Sequence, residues 1–161
     1  MKGLKKGDMI PDFALQNQYE EIVEIGNYLG KKNLVIYFYP KDGSLTCTRQ
    51  ACYFRDYNHV FEETDTEVIG ISQQSTLSHR KFAESNDLNF HLLSDPDNSV
   101  RKMFGVPSKL FGLVAGRVTY IVDKNRKIVN IFNSQTNVQG HIDEALRVSM
   151  VLKKSNSQAK E

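Results

Sequence analysis

The chain has 161 residues, of which 40% are hydrophobic and 25% charged, and its formal net charge is +2. These values indicate one soluble globular domain, which we place at residues 1–154, followed by a flexible tail at 155–161. The small net charge and the lack of a basic stripe argue against nucleic acid as a partner. No apolar run approaches the ~18 residues of a membrane span, and two cysteines without a hydrophobic signal segment favour the reducing cytoplasm.

Strands and helices are predicted to alternate along the first half of the chain. Two short β runs between residues 9 and 25 predict an N-terminal hairpin. The apolar segments 33–39 and 66–72 predict strands buried on both faces, and the amphipathic pattern at 47–63 predicts the helix between them. A strand, a helix and a strand in this order form a βαβ unit, so these two strands should be parallel.

The second half of the chain completes the pattern. An antiparallel hairpin is predicted at 117–133, with its turn at Asp123–Arg126, before a closing amphipathic helix at 141–154. Ahead of it we expect a helix at 76–87, a strand at 90–95 and a helix at 99–105 capped by Asp97 or Asn98. This order predicts an α/β, thioredoxin-like fold with a central mixed β-sheet flanked by helices and an added N-terminal β-hairpin.

Cys47 is predicted to begin the helix that follows the first buried strand. A helix N-terminus carries free N–H groups and the positive end of the helix dipole, and both favour a thiolate over a thiol. A turn between a strand and a helix also lies at the edge of the core, so we expect Cys47 to be accessible. The position therefore indicates a reactive cysteine rather than a packed one.

Cys52 lies five positions after Cys47, on the same predicted helix. Five helical residues rise ~7.5 Å and turn ~500°, which separates the two Cα atoms by roughly 8.6 Å. A disulfide requires Cα atoms about 4.4–6.8 Å apart. If the two cysteines act together, the first turns of the helix must unwind when they are oxidised.

The segment YFYPKDGSLTCTRQACYFRD at 37–56 resembles the active-site segment of the peroxiredoxins, in particular the peroxiredoxin Q and bacterioferritin comigratory protein branch. The family pattern is a proline, three residues, threonine or serine, two residues and a cysteine. The resemblance continues through most of the chain, in GDMIPDFAL at 7–15, LLSDPDNSVRKMFGV at 92–106, GRVTYIVDKNRKIV at 116–129 and HIDEAL at 141–146.

The resemblance implies a thiol-dependent peroxidase, with a role for each matching residue. Cys47 would be the peroxidatic cysteine, whose thiolate attacks a hydroperoxide and becomes a sulfenic acid. Arg117 would stabilise the thiolate and donate to the peroxide oxygens. Ser44 would hold the peroxide in line with the thiolate, although a turn or capping role also suits it, and Pro40 would end the strand and shield the thiolate from water.

The resemblance further implies that Cys52 is the resolving cysteine, which forms a disulfide with Cys47. Thioredoxin or a similar dithiol protein would reduce that disulfide, no metal or organic cofactor is required, and the protein would be a monomer. The sequence departs from the branch where Ser44, Leu45 and Thr46 replace the usual Thr-Pro-Gly. Gln50 replaces a common glutamate, and the loss of that negative charge should favour the thiolate.

Three other interpretations are compatible with parts of the pattern. The cysteines could bind a metal with two of the histidines at positions 59, 79, 91 and 141, although these are scattered along the chain. The thioredoxin-like order of elements also allows a thiol-disulfide oxidoreductase acting on proteins, although no C-x-x-C is present. The same scaffold could serve as a non-catalytic binding domain, because fold does not fix function.

Overall fold

The structure is a computed structural model that describes residues 3–109 and 114–159. The strands are β1 Ala14–Gln16, β2 Ile22–Glu24, β3 Asn33–Phe38, β4 Thr66–Ser72, β5 His91–Ser94, β6 Ser108–Lys109, β7 Val114–Ala115, β8 Val118–Val122 and β9 Ile128–Asn133. The helices are α1 Leu45–Glu63, α2 Thr76–Ser85, α3 Ser99–Phe104 and α4 Val138–Ala159, with a short 3-10 turn at Ile25–Asn27.

The described residues form a seven-stranded mixed sheet in the order β2-β1-β5-β4-β3-β8-β9. Strands β3, β4 and β5 are parallel, while β8 pairs antiparallel with β3 and with β9. The N-terminal hairpin of β1 and β2 joins the edge of the sheet through an antiparallel bridge from β1 to β5. The predicted thioredoxin-like fold with its added hairpin is confirmed.

Alternate residues of β3 divide the core into two layers. All six residues of β3 are buried, as expected for a strand covered on both faces. Leu34, Ile36 and Phe38 face the layer that contains α3, whereas Val35 and Tyr37 face the layer that contains α1, α2 and α4. The buried face of helix α1 therefore packs against Val35 and Tyr37 of the sheet.

The structure corrects the predicted bounds of several elements. Helix α1 begins at Leu45, two residues before the predicted start, because Ser44 supplies the cap. Helix α4 spans Val138–Ala159, so residues 155–159, where we expected a flexible tail, are helical. The small sheet of β6 and β7 was not predicted. No helix within the described ranges is both long and apolar enough to cross a membrane.

Candidate active site

The first turn of α1 places Cys47 at the positive end of the helix. Gly43 has φ +80°, a conformation that favours glycine, and turns the chain into the helix. The Oγ of Ser44 then accepts a hydrogen bond from the backbone N–H of Cys47 at 3.2 Å, and Thr48 Oγ1 donates to the Ser44 carbonyl at 2.7 Å. Ser44 is thus the N-cap of α1, the structural role that its position in the turn allowed.

Cys47 is buried, contrary to the expected accessibility, with 2% of its surface exposed. Its side chain lies on the inner face of α1, where the helix packs on the sheet. Arg117, which precedes β8, is also buried, and its Nη2 donates to the Cys47 Sγ at 3.3 Å. A guanidinium this close can donate to the sulfur and compensate a negative charge that develops on it.

Two neutral groups hold the Arg117 guanidinium in place. Its Nη1 donates to the Oε1 of Gln50, and its Nε donates to the Gln135 carbonyl at 3.1 Å. Within residues 3–109 and 114–159, Arg117 forms no salt bridge with a carboxylate. A buried cation without an anionic partner is unfavourable, so the Cys47 thiolate is its natural counterion.

Two polar atoms beside this pair lack hydrogen-bond partners among the described residues, namely the Gln50 Nε2 and the Tyr37 hydroxyl. Burial, and then the charge of Cys47, raise the pKa of Tyr37 well above its usual value. The tyrosine ring stacks on Phe54 at 4.6 Å between ring centroids, which fixes it below α1. Tyr37 therefore lines the site as a neutral side chain that its stacking on Phe54 holds in place.

Cys52 lies about 1.4 turns further along α1, on a different face of the helix. It is half-buried, and its Sγ is 3.8 Å from the Asn86 Oδ1 at the end of α2. Both cysteines are free, and α1 is continuous through both. The structure is therefore that of a reduced form in which an intact helix separates the two sulfurs.

Pro40 lies in the loop that connects β3 to α1, two residues beyond the end of the strand. It is half-buried, and its carbonyl accepts a hydrogen bond from Gln74 Nε2 at 3.4 Å. The proline thus belongs to the backbone support of the loop.

The histidines of the metal alternative do not converge on the cysteines. His79 bonds to Asp42 and the Leu93 carbonyl, and His141 bonds to Thr119 and the Ser134 carbonyl. Burial, and to a smaller extent the charge of Arg117, lowers the pKa of His141 to about 4. In the part of the chain that the structure describes, no three His, Cys, Asp or Glu side chains lie close enough together to bind a metal ion.

Comparison with known proteins places the chain in a family. The model of the AhpC/TSA family matches residues 6–131. The chain belongs to this family. It is 45% identical over 148 residues to the chloroplastic peroxiredoxin Q of Sedum lineare, covering 92% of this chain and 79% of the relative. It is also 45% identical to the chloroplastic peroxiredoxin Q of Arabidopsis thaliana, covering 91% of this chain and 70% of the relative.

Two solved structures of the family have the same architecture. Peroxidoxin BcpB from Mycobacterium tuberculosis has a TM-score of 0.86 and 32% identity, covering 92% of this chain and 98% of that one. A PrxQ variant from Xylella fastidiosa has a TM-score of 0.86 and 25% identity, covering 94% of this chain and 98% of that one. Together with the buried pair of a cysteine and an arginine, these similarities support a thiol peroxidase.

Both cysteines were predicted from the sequence, but part of their surroundings was not. The contact of Gln50 with Arg117 and the positions of Tyr37 and Gln135 beside the site emerge only in the structure. The helical spacing of positions 47, 50, 51 and 54 places Gln50 on the buried face of α1, and the alternation along β3 places Tyr37 under it. Nothing local to the sequence around Gln135 indicates that its carbonyl binds Arg117.

Proposed function

We propose that the protein reduces hydrogen peroxide and organic hydroperoxides through Cys47, with Cys52 as the resolving thiol. The observation that carries this proposal is the Cys47 sulfur at the start of α1, 3.3 Å from the Nη2 of a buried arginine. The family membership and the peroxiredoxin Q relatives support the same chemistry.

In the first step the Cys47 thiolate attacks one oxygen of the hydroperoxide. An S–O bond forms, the O–O bond breaks, and the other oxygen takes up a proton and leaves as water or an alcohol. Arg117 would donate a hydrogen bond to the oxygen on which negative charge develops. The hydroxyl of Ser44, which remains next to Cys47 as the cap, would hold the peroxide in line with the sulfur.

In the second step the Cys52 thiol attacks the Cys47 sulfenic acid, which forms the disulfide and releases water. Because α1 holds the two Cα atoms roughly 8.6 Å apart, the helix must unwind between them. Thioredoxin or another dithiol protein then supplies two electrons and returns both thiols. Pro40 limits the access of water to the loop while α1 is intact.

The test is the oxidation of three proteins by one equivalent of hydrogen peroxide. We expect Cys47→Ser to consume no peroxide. Cys52→Ser should consume one equivalent and form a sulfenic acid that dimedone traps, yet turn over poorly with thioredoxin. The wild type should form one disulfide, seen by mass spectrometry of a peptide that contains both cysteines, and equal activity of all three proteins would contradict the proposal.

We also propose that the protein acts as a monomer in the cytoplasm, since nothing in its chemistry requires a partner subunit or an oxidising compartment. Sedimentation velocity of the reduced and oxidised protein should give a mass near 18.4 kDa in both cases. A dimer in either state would overturn the first part, and fractionation of cells that express the protein tests the second.

A further inference from the structure

A second buried polar cluster lies outside the site, at the loop between β3 and α1. The Asp42 carboxylate is its centre: the Tyr39 hydroxyl donates to Oδ1 at 2.6 Å, and the Ser78 hydroxyl donates to Oδ2 at 2.8 Å. The Nδ1 of His79 lies 2.6 Å from the same Oδ2. The His79 and Asp42 side chains are 0% and 5% exposed, respectively. We call Tyr39, Asp42, Ser78 and His79 the loop clamp.

His79 is held through both of its ring nitrogens. Its Nε2 lies 3.1 Å from the Leu93 carbonyl, and its Nδ1 faces the Asp42 carboxylate, which also accepts from two hydroxyl groups. Both side chains are buried, so removing either one leaves the other without its hydrogen-bond partner and destabilises the arrangement.

The backbone of the loop is held from the same side. Gln74, which lies between β4 and α2, accepts from the Asp42 N–H at 3.0 Å and donates to the Pro40 carbonyl at 3.4 Å. Directly after Asp42 comes Gly43, which has φ +80° and open space where a side chain would be. The groups that hold the loop belong to the end of β3, to α2 and to the segment before it. The loop clamp therefore holds the backbone up to Asp42, two residues before Ser44, the N-cap of α1.

We propose that His79, acting through Asp42, is a positioning residue that sets the balance between the folded and the unwound first turn of α1. This inference rests on the proposed function, in which attack on peroxide uses the folded turn and disulfide formation uses the unwound one. With the clamp intact, Ser44 is held where its hydroxyl caps the N–H of Cys47. Without the clamp, Gly43 acts as a hinge and the capped turn opens more often.

Loss of the loop clamp should therefore change the rates of the two steps of the reaction in opposite directions. Loss of a serine N-cap destabilises a helix end by about 1 kcal/mol, which corresponds to about a fivefold change in the population of the open turn. A variant without the clamp should react more slowly with peroxide, because the hydrogen bond from Arg117 to the Cys47 sulfur is broken more often. The same variant should form the disulfide about fivefold faster, because its helix opens more readily.

The experiment compares the wild type with His79→Gln and Asp42→Asn, and uses His59→Gln as the matched control because His59 is exposed on α1. Stopped-flow oxidation by hydrogen peroxide in a Cys52→Ser background gives the first rate. Disulfide formation with Cys52 present gives the second. Amide hydrogen exchange of residues 45–50 in the reduced proteins reports the opening of the turn directly. We expect slower oxidation, faster disulfide formation and faster exchange in the clamp variants, with no change in His59→Gln.

Parallel loss of both rates, or exchange equal to that of the wild type, would overturn the proposal. If His79→Gln does not fold, Tyr39→Phe and Ser78→Ala each remove one hydrogen bond to Asp42 and keep its contact with His79. In these variants oxidation should again be slower and disulfide formation faster, by a smaller factor. A wild type that forms no disulfide contradicts the proposed role of Cys52 instead. In that case the exchange of residues 45–50 still decides whether the clamp controls the turn.

Discussion

The neutral side chain of Gln50 should speed the reaction of Cys47 with peroxide in this protein. Its Oε1 accepts from Arg117 Nη1, while Nη2 of the same guanidinium donates to the Cys47 Sγ. Gln50→Glu keeps the size of the side chain and this hydrogen bond but adds a carboxylate. The carboxylate would take the place of the thiolate as the counterion of Arg117.

The size of this effect follows from the geometry. The guanidinium separates the new carboxylate from the sulfur, and two like charges about 7 Å apart at an effective dielectric constant near 20 repel each other by about 2 kcal/mol. Since 1.36 kcal/mol corresponds to a factor of ten, this repulsion disfavours negative charge on the Cys47 sulfur by about thirtyfold.

Stopped-flow rates of oxidation by hydrogen peroxide at pH 7 measure this effect. We expect Gln50→Glu to be at least tenfold slower than the wild type. Gln50→Met is the control, because it removes the hydrogen bond to Arg117 without adding a charge. Equal rates for Gln50→Glu and the wild type, or an equal loss of rate in Gln50→Met, would refute this account of the site.

Three further predictions concern stability and are measured by urea unfolding. Tyr37→Phe removes a buried hydroxyl that has no hydrogen-bond partner among the described residues, and it should raise the free energy of unfolding by about 1 kcal/mol. Tyr39→Phe loses its hydrogen bond to Asp42 and should lower the free energy of unfolding by a similar amount. A Tyr39→Phe variant that is more stable than Tyr37→Phe would contradict these contacts. His141 is neutral in the folded protein, because burial lowers its pKa to about 4 from the ordinary histidine value of 6.5. As the pH falls, the unfolded chain therefore binds a proton that the folded protein does not, and the free energy of unfolding should fall by up to about 3 kcal/mol between pH 7 and pH 4. His141→Gln should reduce this dependence of stability on pH. Phe54→Ala should cost about 3–5 kcal/mol, because its fully buried ring fills the space between α1 and Tyr37; a loss below 1 kcal/mol would contradict that packing.

Local patterns in the sequence predicted the fold where burial leaves a clear periodicity. The continuous apolar runs at 33–39 and 66–72 correspond to β3 and β4, which pair in parallel as expected. The patterns failed at helix ends. The start of α1 is set by the Ser44 cap, and the extension of α4 beyond residue 154 runs through polar residues that carry no hydrophobic periodicity.

The candidate site was predictable only in part, because most of its contacts join distant segments. Accessibility of Cys47 was expected from its place at a turn, yet the inner face of α1 buries it against the sheet. The clamp on Asp42 could not be predicted, since His79 lies 37 positions later, on a helix whose packing angle the sequence does not specify.

The sequence by itself determined a buried βαβ unit and a cysteine at the start of its helix, because hydrophobic periodicity and capping depend on near neighbours. Only the tertiary structure decided what stands beside that cysteine. Strand β8 pairs with β3 in a register that sets Val118 opposite Phe38, and this register brings Arg117 to the start of α1. A shift of one residue would turn the side chains of β8 to the other face. The contact between Arg117 and Cys47 thus depends on strand pairing across 70 residues of chain, which no local pattern encodes.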